Sequence, residues 1–236
     1  MNPTASAGAP LPRQGHMTAP TLIAAPPSEN AATPHKSVVR KHLRACRKNL
    51  SRSFRQHAAL QIQRGMINTG FVLRAKRFGL FIPHGAEIDT LPLIARLLSL
   101  GKEVYLPSVP NNRYSLRLWF SRLDANSRWV SNHFGVPEIH LSHVVRAPAL
   151  DVLCLPLVGY DLHGYRLGMG GGYYDASLAY LRHRHSWRRP KLLGLAFSCQ
   201  RLDEPLLRDA WDVPLDAVLT ERGLEWFQRH ALVVSS

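Results

Sequence analysis

An apolar run that opens directly into glycines constrains this chain more than any other feature. Asp151-Val-Leu-Cys-Leu-Pro-Leu-Val158 is apolar at consecutive positions, so a strand here is buried on both faces and belongs in the middle of a sheet. Turn residues follow from Asp161 to Gly164. Then comes Arg166-Leu-Gly-Met-Gly-Gly-Gly-Tyr-Tyr-Asp175, and a helix is expected from Tyr173 to about Arg184. Glycines let backbone N–H groups approach an anion closely, and successive N–H groups can line a concavity. A helix start adds unpaired donors, and Arg166 adds a full charge with a bidentate fork. The segment therefore reads as a phosphate cradle at the carboxyl end of a central strand. The sequence is not a GxxxxGK[ST] loop, and its glycines do not open a GxGxxG turn off the first strand. Glycine richness alone fits a plain flexible loop equally well.

The pattern around this segment predicts a three-layer α/β sandwich with a mostly parallel central sheet flanked by helices. Val39, Leu43, Cys46 and Leu50 form an apolar stripe at helical spacing over Ser37–Leu50. Arg40, Arg44 and Arg47 share a second face of that helix. By spacing alone that row is either a solvated face or an anion-binding one. Ser51 or Ser53 caps a second helix with Phe54, Ala58, Ile62 and Met66 on one side. Arg77–Ile82 is a strand stopped by Pro83, a helix capped by Asp89 or Thr90 runs to Leu100, and Glu103–Leu106 returns as a strand. That strand–helix–strand spacing predicts a parallel crossover. Leu116–Phe120, Lys191–Phe197, Val218–Leu219 and Leu224–Phe227 complete the expected strands.

Residues 1–36, rich in Ala, Pro, Ser and Thr, read as a disordered tail, and 37–236 as a single α/β domain. Arg13 is the only arginine before Arg40, and prolines oppose the amphipathic helix of a transit peptide. Met17 is an alternative start. No apolar run reaches the ~18 residues of a membrane span. The cysteines Cys46, Cys154 and Cys199 are odd in number and far apart, which argues against a disulfide framework or a structural zinc site. Reduced thiols fit a cytoplasmic protein. A formal net charge of +14 favours polyanionic partners, and solvated surface arginines account for the same excess.

The string Arg166–Asp175 resembles the RLGxGxGYYD signature of the 5-formyltetrahydrofolate cyclo-ligase family. The resemblance extends over roughly Ser37–Phe227. It takes in the basic first helix, Phe81-Ile-Pro-His-Gly-Ala-Glu-Ile-Asp-Thr90, Gly101-Lys-Glu-Val-Tyr-Leu-Pro107 and Trp211-Asp-Val-Pro-Leu-Asp-Ala-Val218. It implies an ATP-dependent enzyme that converts 5-formyltetrahydrofolate to 5,10-methenyltetrahydrofolate with release of ADP and phosphate, using Mg2+. ATP phosphorylates the formyl oxygen, N10 attacks the activated carbon, and phosphate leaves.

The same resemblance implies the site residues. Arg40, Lys41, His42, Leu43 and Arg44 correspond to the family's ATP-binding helix. Arg166, Leu167, Gly168, Met169, Gly170, Gly171, Gly172, Tyr173 and Tyr174 correspond to its ATP loop, with Arg166 the candidate catalytic charge. Met169, Gly170, Gly171, Gly172 and Tyr173 also match folate-contacting positions, as do Ile82 and Glu87. Asp175 and Asp212 match magnesium positions. Some members carry a basic residue in place of Met169 and Lys in place of Gly171, so this loop relies more on Arg166, backbone donors and metal. Removal of Arg166 is expected to weaken ATP use and leave the fold intact. The implied partners are ATP and 5-formyltetrahydrofolate, including its polyglutamylated forms, with no nucleic acid, no membrane and a monomeric state. Other readings are a sugar-phosphate enzyme on a related sheet, a silent folate or nucleotide binder, and a basic nucleic-acid-binding protein, although no RNA- or DNA-binding module is recognisable.

Overall fold

The computed structural model describes residues 34–110, 115–140, 143–183 and 189–227. Its first part comprises α1 (Pro34–Asn49), α2 (Arg52–Asn68), α3 (Gly70–Arg74), β1 (Arg77–Gly79), α4 (Leu91–Ser99), β2 (Glu103–Ser108) and β3 (Trp119–Arg122). β4 (Trp129–Ser131), β5 (Pro137–Ile139), β6 (Val144–Val145), β7 (Val152–Leu155), β8 (Gly159–Tyr160) and β9 (Arg166–Leu167) follow. The chain then forms α5 (Tyr173–Leu178), β10 (Lys191–Leu195), β11 (Ala217–Thr220) and β12 (Gly223–Trp226). Most of the N-terminal tail, and Arg184 at the expected end of the helix after the glycines, lie outside the described residues.

Eight strands form one sheet in the order β12-β11-β10-β7-β1-β2-β3-β6. The strands from β11 through β2 are parallel. β12 and the β3–β6 pair add antiparallel edges. β7 is central, as its unbroken apolar run requires. Its residues alternate between two cores: Val152 and Cys154 enter the one shared with α2 and α4, and Leu153 and Leu155 the one shared with α5. Both sides of the sheet are therefore covered, which gives the expected three layers. Gly79 in β1 has a packing reason, since a Cβ there would lie 2.6 Å from Leu153 Cδ1.

Several boundaries depart from the sequence reading. β1 ends at Gly79 instead of Ile82, although Leu80 N–H still donates to Tyr105 O at 2.9 Å. Thr90 precedes α4, but its hydroxyl donates to Phe81 O, and Asp89 Oδ1 accepts from Leu91 N–H. Ser51 does cap α2, accepting from Phe54 N–H at 3.1 Å. The expected strand at Leu116–Phe120 is shifted to Trp119–Arg122 and runs antiparallel to β2. The expected long helix after the glycines stops at Leu178 and tightens into a 3₁₀ segment, Ala179–His183. The β4–β5 hairpin and the β8–β9 ribbon were not foreseen, because strands of two or three residues leave no periodicity to read.

Candidate active site

The glycine-rich loop leaves the carboxyl end of β7 through the β8–β9 ribbon, on the side of the sheet where open α/β folds bind ligands. Asp161 holds the turn of that ribbon. Its fully buried carboxylate accepts from His163 and Tyr165 N–H through Oδ1 and from Leu206 N–H through Oδ2, each at 2.9 Å. One side chain thus ties the entry of the loop to the chain that leads to Asp212. Beyond it, Gly170 and Gly172 adopt positive φ values of 107° and 66°. Side chains with a Cβ are strained there, so these two glycines are needed for shape as well as for close approach.

Helix α1 lies across the loop. Leu43 anchors it in a small core with Val158, Leu167 and Leu206. Gly159 permits the contact, since a Cβ on it would stand 2.3 Å from Leu43 Cδ1. Arg40 Nε then donates to Gly168 O at 2.9 Å, and Arg44 reaches Met169 O at 3.5 Å. Of the span from Arg40 to Arg44, the structure brings the two arginines to the loop. It buries Leu43 beneath and leaves Lys41 and His42 exposed away from it.

A second wall follows the carboxyl end of β1. Ile82 is half-buried against the α2–α4 core. Glu87 is also half-buried and accepts from His84 N–H at 3.0 Å. Burial pushes its carboxyl up, against the opposing pull of that N–H and of Arg47. Burial raises the Tyr174 phenol strongly, with the Glu87 charge pushing the same way and Arg166 opposing it. β1 and β7 are parallel neighbours, so the Glu87 turn and the glycine loop leave the same edge of the sheet. Tyr173 packs edge-on to Phe134 of the β4–β5 hairpin, with ring centroids 6.0 Å apart.

The acidic side holds Asp175 and Asp212. Arg166 is only 6% exposed through its side chain. It donates through Nη1 to Val213 O at 2.9 Å and through Nη2 to Asp175. Arg166 thereby ties α5 to the Asp212 turn, a structural role beside the charge expected of it. Asp212 Oδ2 accepts from Asp209 N–H at 2.8 Å. Burial raises the Asp212 carboxyl, and Asp175 and Asp209 push the same way. Two adjoining carboxylates with partial access to solvent suit Mg2+, which binds through one or two carboxylates together with waters and phosphates. Among the described residues no group of three or more His, Cys, Asp or Glu side chains could hold a metal alone.

Sequence reasoning missed Lys36 and Phe134 at this site, and placed Arg47 on the basic face of α1 without giving it a role. Lys36 lies one turn before Arg40 and reaches Asp209, with Asp212 Oδ2 at 4.0 Å. Helical spacing from Arg40 points to it, one residue before the Ser37 start of the apolar stripe. Arg47 is 5% exposed, donates to Leu157 O at 3.3 Å, and has its guanidinium lowered by burial. The Nε–H groups of Arg47 and Arg44 are buried without a hydrogen-bond partner, so two cationic donors stand unsatisfied beside the loop. No pattern in the sequence pointed to Phe134.

The sequence profile of the 5-formyltetrahydrofolate cyclo-ligase family matches residues 32–221. The Escherichia coli K12 5-formyltetrahydrofolate cyclo-ligase is 35% identical over 187 residues, covering 78% of this chain and all of the relative. The Haemophilus influenzae 5-formyltetrahydrofolate cyclo-ligase is 34% identical, covering 79% of this chain and 98% of its own. The solution structure of Aquifex aeolicus 5,10-methenyltetrahydrofolate synthetase superposes with a TM-score of 0.70 at 29% identity, covering 85% of this chain and 96% of the other.

Proposed function

The chain belongs to the 5-formyltetrahydrofolate cyclo-ligase family, and from that premise we propose that Arg166–Asp175, α1 and the Glu87 turn together form its active site. The enzyme converts 5-formyltetrahydrofolate to 5,10-methenyltetrahydrofolate in an ATP-dependent reaction. The observation that carries the site assignment is the placement of Arg40 and Arg44 against the carbonyls of Gly168 and Met169. It sets two guanidinium groups at the rim of a loop whose glycines leave room for phosphate.

The reaction needs a formyl oxygen made into a leaving group. We assign that step to transfer of the ATP γ-phosphoryl group to this oxygen, followed by attack of N10 on the formyl carbon and departure of phosphate. The chain contributes mainly position and charge. Arg40, Arg44 and the loop N–H groups hold the phosphates, and Arg166 offers charge to the phosphoryl group in transfer. Glu87 accepts hydrogen bonds from the donor edge of the pterin, and Ile82 and Tyr173 flank it. Asp175 and Asp212 are the residues that would hold Mg2+, whose charge would offset that of the phosphates.

The charge of +14 supports preference for polyglutamylated folate. Three free cysteines support a reducing cytoplasm. Among the described residues no helix is long and apolar enough to cross a membrane. The test is absorbance at the methenyl band after purified protein is mixed with 5-formyltetrahydrofolate and Mg2+, with and without ATP. An ATP-dependent rise that falls sharply in Arg44→Ala supports the reaction and the site. A rise undiminished in Arg44→Ala rejects the assignment of α1, and no rise from folded protein rejects the activity.

A further inference from the structure

The candidate metal carboxylates each have a cation of the protein beside them. Arg166 donates to Asp175 from a buried position. Lys36, with a side chain only 13% exposed, pairs with Asp209 and stands 4.0 Å from Asp212 Oδ2. Asp209 and Asp212 also line an open cavity of about 280 Å³ with Tyr165, Arg182, Arg208 and Ala210, so they are reachable from solvent. Arg182 hydrogen-bonds the carbonyls of Ala179 and Ala210, and Arg208 lies over the Tyr165 ring. Among the described residues Lys36 and Arg166 are therefore the cations paired with the acidic side, and Lys36 lies one helical turn before Arg40, which meets the phosphate loop.

From this arrangement we propose that Lys36 is an internal counter-ion that keeps free divalent cation out of the site and yields Asp212 only when metal arrives with nucleotide. The inference rests on the proposed metal roles of Asp175 and Asp212. A metal approaching alone must displace an ammonium from a partly desolvated carboxylate and gains at most two protein carboxylates. A metal–nucleotide complex brings its own phosphate oxygens as ligands. Those phosphates also give Lys36 and Arg166 new anionic partners, so no cation is left stranded. Lys36 and Arg40 are one helical turn apart, so an ammonium released from Asp212 stays on the face of α1 that meets the phosphates. This predicts ordered binding, with metal affinity strongly coupled to nucleotide. Among the described residues there is no third His, Cys, Asp or Glu ligand to replace the phosphates, which fits the same order.

The test is Mn2+ binding followed by the electron paramagnetic resonance of free Mn2+, with the full chain, alone and with the β,γ-methylene analogue of ATP. The parent should bind Mn2+ weakly alone and much more tightly with the analogue. Lys36→Met should bind free Mn2+ about tenfold more tightly, equivalent to about 1.4 kcal/mol. It should also lose part of the gain given by the analogue. Lys36→Arg should behave as the parent, and circular dichroism would confirm that α1 is retained in both. Parental Mn2+ affinity in folded Lys36→Met overturns the proposal, as does tight nucleotide-free binding by the parent. If the parent binds no Mn2+ even with the analogue, the metal assignment itself fails, and this inference with it.

Discussion

Replacing Arg166 by Ala should destabilise the enzyme as well as impair it, and the size of the loss follows from its contacts. Deleting one partner of a fully buried ion pair costs about 3–5 kcal/mol. Asp175, the survivor, keeps 32% of its side-chain surface in water, so rehydration reduces that loss to about 1–2 kcal/mol. The Val213 carbonyl loses its donor, a further ~1 kcal/mol. The arginine stem, 6% exposed with its head group, leaves an apolar void for about 1 kcal/mol more. The sum is about 3–4 kcal/mol, or roughly 10 °C in Tm for a chain of this length. Arg166→Lys keeps the charge and most of the stem but cannot reproduce the fork to Asp175 and Val213, so it should lose about a third as much. Differential scanning calorimetry of the three proteins measures this. Addition of Mg2+ and ATP should raise the parent Tm and leave that of Arg166→Ala nearly unchanged. An Arg166→Ala variant that melts within about 2 °C of the parent would refute the view that this guanidinium clasps α5 to the Asp212 turn.

Two further outcomes can be checked with the same equipment. Burial raises the Glu87 carboxyl, so the folded state holds its proton more tightly than the unfolded chain. Its stabilising contribution is complete below the ordinary value of 4.5 and is lost as pH rises through the folded value. Glu87→Gln keeps an acceptor for His84 N–H, so it should gain Tm over the parent as pH rises from acid to neutral while its KM for folate increases. A Tm difference independent of pH would contradict this. Asp161→Asn retains the acceptor for His163 and Tyr165 but turns an amide donor toward Leu206 N–H. The buried mismatch should cost about 2–3 kcal/mol, a fall of about 4–12 °C in Tm. An unchanged melting curve would mean that Asp161 does not hold this turn.

What could be read from the sequence was what repeats along it. The alternation of Val152 and Cys154 against Leu153 and Leu155 between two cores is the structural form of an apolar run without polar interruptions. The crossover from β1 through α4 to β2 followed from spacing, and the glycine loop from composition. The β4–β5 hairpin and the β8–β9 ribbon were hidden because such short strands carry no period. The site divides along the same line. Arg40 and Arg44 were visible as a row on one helix, and the resemblance of whole motifs pointed to Glu87 and Asp212. Neither local pattern nor motif could show that Leu43 lies under Gly159, or that Arg166 already has Asp175 as its partner.

That last pairing changes how the site is understood. Read as a string, Arg166–Asp175 offers one cation for phosphate and one anion for metal, each waiting for a ligand. In the folded chain the two satisfy each other, and Lys36 does the same for Asp209 beside Asp212. Partly buried charges would be costly if left unpaired. Pairing them internally allows the loop to keep its shape before substrate arrives. On the proposed site assignment, ATP and metal would exchange partners with groups already engaged. The binding energy of the phosphates would then have to break two internal pairs while forming the new ones. Such an exchange favours ligands that bring both signs of charge at once, as a metal–nucleotide complex does and inorganic phosphate or a free cation does not.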